Sequence, residues 1–125
     1  MIENVISKEI VDACYAIHVK FGPGLFESVY EELLSYELIK RGREVKRQEA
    51  FNVVYDNTVL QKVFRADLLV DNKVIVEIKS VEELKDMHFK QVRTYLKLTN
   101  IKLGLLVNFN VSLIKDGIKR IVNQI

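Results

Sequence analysis

The sequence has few of the residues on which a disulfide scaffold, a disordered chain or a membrane span depends. Its 125 residues include one cysteine, one proline and no tryptophan. A lone cysteine forms neither an intramolecular disulfide nor a cysteine-based zinc site, and Cys14 falls on an apolar helix stripe, so we expect a buried thiol. No apolar run approaches the roughly 18 residues of a membrane span, and the N-terminus has no signal-peptide pattern. These absences predict a cytoplasmic protein with no membrane partner.

An excess of charge of one sign is also missing. The sequence has 19 Lys and Arg residues against 17 Asp and Glu, a net charge of +2. No global positive field therefore attracts nucleic acid, and any such binding must come from a local basic patch. With 49% apolar residues, the chain is expected to form one domain, residues 1–125, around a single core.

Two helices are predicted in the first third of the chain. Apolar residues recur at three- and four-residue intervals over residues 6–21 and 25–41, which is the period of an amphipathic helix. Gly22, Pro23 and Gly24 separate the two stretches. Phe26, Val29 and Tyr30 are predicted to lie on the core face of the second helix.

The rest of the chain changes period and predicts a sheet. Strands are expected over residues 51–55, 59–70, 74–79 and 103–107, with a helix over residues 81–98 before the last of them. The Asp116-Gly117 pair predicts a terminal hairpin of two short edge strands. The order α-α-β-β-β-α-β plus a C-terminal hairpin predicts an α/β fold, a mixed central sheet flanked by helices.

Charged residues interrupt the apolar strand over residues 74–79. Glu77 and Lys79 are two residues apart and therefore share a face. If residues 71–73 form the turn, Val70 pairs with Val74 and Asp67 lies across from Glu77, with Cβ atoms about 4.5–5.5 Å apart. A two-residue turn would place Asp67 on the other face.

Two facing carboxylates repel each other unless a cation lies between them. Oxygen ligands with positions left for water suit Mg²⁺ or Mn²⁺ rather than zinc. Lys79 would extend beside such a metal and could hold an attacking water. The alternative is an ordinary solvated strand face, on which Glu77 and Lys79 neutralise each other.

Polar residues on two helices add to this cluster. Glu27 falls at the margin of the apolar face of the second helix, from which a carboxylate can reach inward. His88, Gln91 and Tyr95 form a polar ribbon along the third helix. In the alternative interpretation, Gln91 and Tyr95 bond backbone at the sheet edge and His88 is partly exposed.

These residues carry a family resemblance. Asp67, the run Glu77-Ile78-Lys79 and the Gln91-x-x-x-Tyr95 helix resemble the PD-(D/E)xK nuclease superfamily in its RecB-like branch. Gly24, Glu27 and Tyr30 match the pattern that names the GxxExxY proteins, a small single-domain family of that superfamily. Residues 64–70 and 102–109 are also similar to that family, and the likeness covers residues 22–122. Ala66 stands where the superfamily often has proline.

The resemblance implies a restriction-endonuclease-like core and a metal-dependent phosphodiesterase acting on DNA or RNA, with DNA favoured. Glu27, Asp67 and Glu77 would ligate Mg²⁺ or Mn²⁺, with the Ile78 carbonyl as a backbone ligand. Lys79 would act on the attacking water. Gln91 and Tyr95 would position the site or the nucleic-acid backbone. Because cutting both strands of a duplex needs two sites, a homodimer is compatible with this function.

A basic lining and two other functions complete the predictions from sequence. Phosphate contacts are expected from residues that flank the site, which are Lys62, Arg65, Lys85, Lys90, Arg93 and Lys97. Ordinary solubility charge is the alternative for them. In the second, the protein is a catalytically inactive nuclease-fold module with a nucleic-acid-binding or regulatory function. The third is a structural domain that pairs through an edge strand or the Ile125 end and binds no metal.

Overall fold

The computed structural model describes residues 1–123, apart from the side chains of residues 61–63. The elements in chain order are α1 (Ile2–Phe21), α2 (Glu27–Lys40), β1 (Val45–Tyr55), β2 (Thr58–Val70), β3 (Val74–Lys79), α3 (Asp86–Thr99), β4 (Leu103–Asn108), a 3-10 turn (Ile114–Asp116) and β5 (Ile118–Val122). The strands form a sheet in the order β1-β2-β3-β4-β5. β3 and β4 are parallel and the other neighbours are antiparallel. The predicted mixed sheet flanked by helices is confirmed.

Helices cover both faces of the sheet because β3 and β4 are apolar on both faces, apart from Glu77 and Lys79 on β3 and Asn108 at the end of β4. α1 and α2 pack on one face, and α3 packs on the other. At the α3 contact, a Cβ on Gly104 would lie 2.8 Å from Cγ1 of Val92. Glycine at this position therefore lets α3 approach β4 closely. The α3 crossover brings the polar side chains of that helix over the sheet near the end of β3.

In the first half of the chain, the structure agrees with most of the predictions made from the sequence. Cys14 is fully buried, and this burial raises the pKa of its thiol to about 12. Phe26 and Val29 are not core residues, since 81% and 37% of their surfaces are exposed. The reason is that α2 begins only at Glu27 and its buried stripe runs through Tyr30, Leu34 and Leu38. In residues 1–123, no helix is long and apolar enough to cross a membrane.

In the second half, the predicted start of the third helix and the predicted terminal hairpin were wrong. α3 begins at Asp86 rather than at residue 81, because the Val81 backbone is bonded at both N–H and C=O by the Asn108 side chain. The predicted terminal hairpin is a 3-10 turn followed by β5, so the described part holds one edge strand here. Gly117 lets its segment lie close to the backbone of Asn108, since a Cβ at this position would lie 2.0 Å from the Asn108 carbonyl oxygen. The Asp-Gly pair therefore packs this turn against the end of β4.

Candidate functional site

The β2–β3 register places two acidic residues across from each other. Val70 pairs with Val74 and Leu68 with Val76, as a three-residue turn over residues 71–73 requires. Beyond the Leu68–Val76 pair, the side chains of Asp67 and Glu77 accept hydrogen bonds from backbone amides. The Asp67 N–H donates to Oε1 of Glu77 at 3.0 Å, and the Ile78 N–H donates to Oδ2 of Asp67 at 2.8 Å. The predicted register is therefore confirmed, and the two carboxyl groups lie together between the strands.

The environment of Glu77 is unfavourable for a negative charge. Its surface is 3% exposed, and burial, followed by the charge of Asp67, raises its pKa to about 8. Lys79, on the same face of β3, lowers this pKa by a smaller amount. In its protonated form the Glu77 side chain hydrogen-bonds to the Asp67 side chain, which favours that form further. Glu77 therefore keeps its proton at neutral pH when no other cation neutralises it.

This chemistry fits a divalent cation in place of the Glu77 proton. Mg²⁺ is commonly held by one or two carboxylates, with waters and substrate phosphates completing its octahedron. Among the residues the structure describes, no three His, Cys, Asp or Glu side chains are grouped to hold a metal ion. The donor set that the fold assembles is thus the Asp67–Glu77 pair, which leaves most coordination positions to oxygens from outside these side chains.

Glu27 lies at the end of β3. As the first residue of α2, it presents Oε2 to the Ser80 N–H at 3.2 Å. The Ser80 hydroxyl donates to the carbonyl oxygen of Leu25 at 2.8 Å. This bond ties the loop before α2 to the end of β3. Glu27 is therefore held at the backbone one residue beyond Lys79, and among the described residues it is not grouped with the carboxylate pair.

The spacing of Gly24, Glu27 and Tyr30 has a structural explanation. Gly24 has φ +106°, a backbone conformation that residues with a side chain rarely adopt. The fully buried Tyr30 stacks on Phe109 with ring centroids 4.3 Å apart, and its hydroxyl donates to the carbonyl oxygen of Gly22 at 2.6 Å. The glycine lets the loop turn and the tyrosine fixes it to the core. Together they determine where α2 begins, and so where Glu27 points.

On α3, Gln91 bonds Tyr95, whose pKa is raised by the charge of Glu77, and His88 caps the start of the helix. Nε2 of Gln91 donates to the Tyr95 hydroxyl at 2.8 Å. Burial raises the pKa of Tyr95, and the charge of Glu77 raises it further, so the phenol lies near the pair. Nδ1 of His88 accepts the Lys85 N–H at 3.0 Å, which caps the start of α3. In the alternative interpretation Gln91 bonds backbone, but its Nε2 bonds the Tyr95 side chain instead.

Sequence reasoning missed two residues beside Asp67. Nε2 of Gln48, on β1, donates to Oε1 of Glu31 at 2.6 Å and to Oδ1 of Asp67 at 3.1 Å. Oε2 of Glu31 also accepts from Nε of Arg47 at 3.1 Å. Glu31 follows Glu27 by four residues on α2 and so shares its helix face, a signal that could have identified it. Gln48 has no comparable signal, because residues 45–50 lack the alternation of apolar and polar residues by which a strand is predicted.

The predicted basic lining is on the surface. Arg65, Lys85, Lys90, Arg93 and Lys97 are exposed. Nη1 of Arg65 donates to the Gln48 carbonyl oxygen at 3.2 Å, which fixes this guanidinium against β1. The Lys62 side chain and Ile125 lie outside the described parts of the chain.

Comparison with known proteins agrees with the fold. A family model described as the PD-(D/E)XK nuclease superfamily matches residues 4–121. A solved structure described as "Crystal structure of SSO0001" is similar over 79% of this chain, with a TM-score of 0.53 and 22% sequence identity. The match spans 51% of the chain in that structure, and at this identity it shows a likeness of fold. No curated protein matches significantly.

Proposed function

The chain belongs to the PD-(D/E)XK nuclease superfamily, and from this membership we propose that it is a metal-dependent phosphodiesterase that hydrolyses nucleic acid, DNA rather than RNA. Within the superfamily we assign it to the GxxExxY family of the RecB-like branch, on the spacing of Gly24, Glu27 and Tyr30 and of Gln91 and Tyr95. The observation that carries the proposal is the pairing of Asp67 with the buried Glu77.

The Asp67–Glu77 pair would hold the metal, Mg²⁺ or Mn²⁺. Their two carboxylates would offer one ligand each, and the Ile78 carbonyl and Glu27 are further ligands that the resemblance implies. Once bound, such a cation polarises the scissile phosphate and lowers the pKa of a coordinated water. The burial of Glu77 supports this role, because the charge of a buried carboxylate needs a partner.

The other residues have roles in binding and proton transfer. Lys79, on the same face as Glu77, would hydrogen-bond the attacking water and counter the negative charge that develops on the phosphate. Gln91 and the Tyr95 hydroxyl would position the substrate beside the pair. Arg65, Lys90 and Arg93 would contact backbone phosphates without reading bases. We also propose that the protein acts in the cytoplasm and cuts duplexes as a homodimer.

The test combines calorimetry and cleavage on the same samples. Mn²⁺ and Mg²⁺ are titrated into the wild type and into the Asp67→Asn, Glu77→Gln and Lys79→Met variants, and cleavage of labelled single- and double-stranded DNA and RNA is followed. We expect both acid variants to lose metal binding, and Lys79→Met to bind metal without cleaving. Glu83→Gln and Lys115→Met, at exposed positions, are the matched controls and should behave as the wild type.

The outcomes separate the three functions. Cleavage that depends on Asp67, Glu77 and Lys79 supports the nuclease. Metal and nucleic-acid binding without cleavage of any substrate would identify a regulatory or binding module instead. If neither metal binds the wild type, the carboxylates are a charged feature of the fold and the proposal is wrong.

A further inference from the structure

Gln48 has a backbone conformation that its strand does not explain. Its φ is +50°, in the left-handed region that residues other than glycine rarely occupy. The β1–β2 register is unbroken around it, since Arg47 pairs with Leu68 and Glu49 with Ala66. The left-handed φ is therefore not required by a turn. Conformations of this kind persist only where the surrounding contacts hold them, and they are common at functional sites.

The side chain supplies those contacts. Both Nε2 protons of Gln48 are used, one on Oε1 of Glu31 at 2.6 Å and one on Oδ1 of Asp67 at 3.1 Å. The opposite amide orientation would place a carbonyl oxygen against two carboxylates, so the chemistry determines the orientation. Oδ2 of Asp67 is bonded by the Ile78 N–H. Both oxygens of Asp67 are therefore held by fixed donors.

We propose that Gln48 is a positioning residue that orients the Asp67 carboxylate beside Glu77 before a metal binds. Glu31, fixed by Arg47, holds the Gln48 amide in place from α2. This inference rests on the proposed function, because the orientation of Asp67 matters most when the carboxylate is a metal ligand. Outer donors of this kind typically change metal affinity about 10- to 100-fold when they are removed.

A neutral donor is suited to this position. A lysine or arginine bonded to Asp67 would neutralise the carboxylate and compete electrostatically with a divalent cation. A glutamate would add a third negative charge to Glu31 and Asp67. The carboxamide fixes the carboxylate geometry and leaves its charge available.

The test is the Gln48→Gly variant, which relieves the left-handed backbone and removes the carboxamide. Asn100→Gly is the matched control, because Asn100 has φ +59° at the end of α3, outside the site. Amide hydrogen exchange is measured by NMR without metal at Ile78, with Val76 two residues earlier on β3 as the internal reference. Mn²⁺ affinity is measured by calorimetry on the same samples, and the melting temperature reports global stability.

We expect Gln48→Gly to exchange the Ile78 amide about tenfold faster, with Val76 and the melting temperature unchanged, and to bind Mn²⁺ about 10- to 100-fold more weakly. Asn100→Gly should change none of these. Unchanged exchange at Ile78, equal acceleration at Val76, or faster exchange at Ile78 with unaltered Mn²⁺ affinity would each overturn the inference. If the wild type binds no Mn²⁺, the proposed function fails separately, and exchange at Ile78 still decides whether Gln48 orients Asp67.

Discussion

Replacing Glu77 with glutamine should stabilise the metal-free protein at neutral pH. The folded protein raises the pKa of this carboxyl from 4.5 to about 8, mainly through burial and then through Asp67. Glutamine has nearly the same shape, keeps an oxygen that accepts the Asp67 N–H, and carries no charge. The variant therefore removes the pH-dependent cost of burying this carboxyl group while keeping its backbone hydrogen bond.

The size and sign of the effect follow from proton linkage. Between pH 4.5 and about 8 the folded Glu77 keeps a proton that the unfolded chain has released, so wild-type stability falls by about 1.4 kcal/mol per pH unit. At pH 7 the loss is about 3 kcal/mol, and above the folded pKa it levels off near 5 kcal/mol. Below pH 4.5 both states hold the proton and the loss disappears. Glu77→Gln lacks this dependence, so its advantage should grow from near zero at pH 4 to its maximum at pH 9.

Urea unfolding in EDTA at several pH values measures this difference. With a slope of about 1–3 kcal/mol per molar urea, the variant should shift the midpoint upward by roughly 1–3 M at pH 7. Mg²⁺ should then raise the stability of the wild type, by about 2.7 kcal/mol at 100 times its dissociation constant, and leave Glu77→Gln unchanged.

Two outcomes would refute the reasoning. A variant that is no more stable than the wild type at pH 7 to 9 would show that Glu77 is not ionised at a cost in the fold. A gain that is the same at pH 4 and pH 9 would show that the effect is packing rather than charge. The exposed control Glu83→Gln should show no pH-dependent gain.

Two further substitutions test the structural explanations. Tyr30→Phe keeps the stack but loses the bonds of its hydroxyl to the Gly22 carbonyl and the Leu25 N–H, so urea unfolding should show a loss of about 1–3 kcal/mol. An unaltered midpoint would mean that the hydroxyl does not anchor the loop before α2. Gly117→Ala places a methyl 2.0 Å from the Asn108 carbonyl oxygen, so we expect thermal melting to show a loss of about 1–3 kcal/mol. A variant that melts like the wild type would contradict the close approach at Gly117.

The strand pairing at the site could be predicted because it depends on a short turn between neighbouring strands. Val70 and Val74 flank a turn in which Asp71 and Asn72 both have positive φ, 52° and 56°. Asp and Asn tolerate that conformation better than most residues. Once the turn length is known, the period of two along each strand determines which side chains face each other. Asp67 and Glu77 could therefore be placed together from the sequence if the turn has three residues, and the observed register shows that it does.

The wrong predictions share a different cause, which is that contacts between distant segments decide the structure. The Asp116-Gly117 pair is typical of hairpins, yet here the glycine is needed where its segment contacts Asn108. The same asparagine bonds Val81, 27 residues away, and so delays the start of α3. Gln48 is fixed by Glu31 and Asp67, 17 and 19 residues away. No periodicity in the sequence carries this information.

The site lies where the backbone ladder between β2 and β3 ends. After the Leu68–Val76 pair, carboxylate oxygens rather than carbonyl oxygens accept the Asp67 and Ile78 amides. Each amide bond occupies one oxygen of its carboxylate, and ionised carboxylates have further lone pairs for other partners. Asp67→Asn and Glu77→Gln can therefore keep these backbone bonds through their remaining carbonyl oxygens while losing the charge. Loss of metal binding in such variants, with the sheet intact, would separate the ligand role of the pair from its role in holding the two strands.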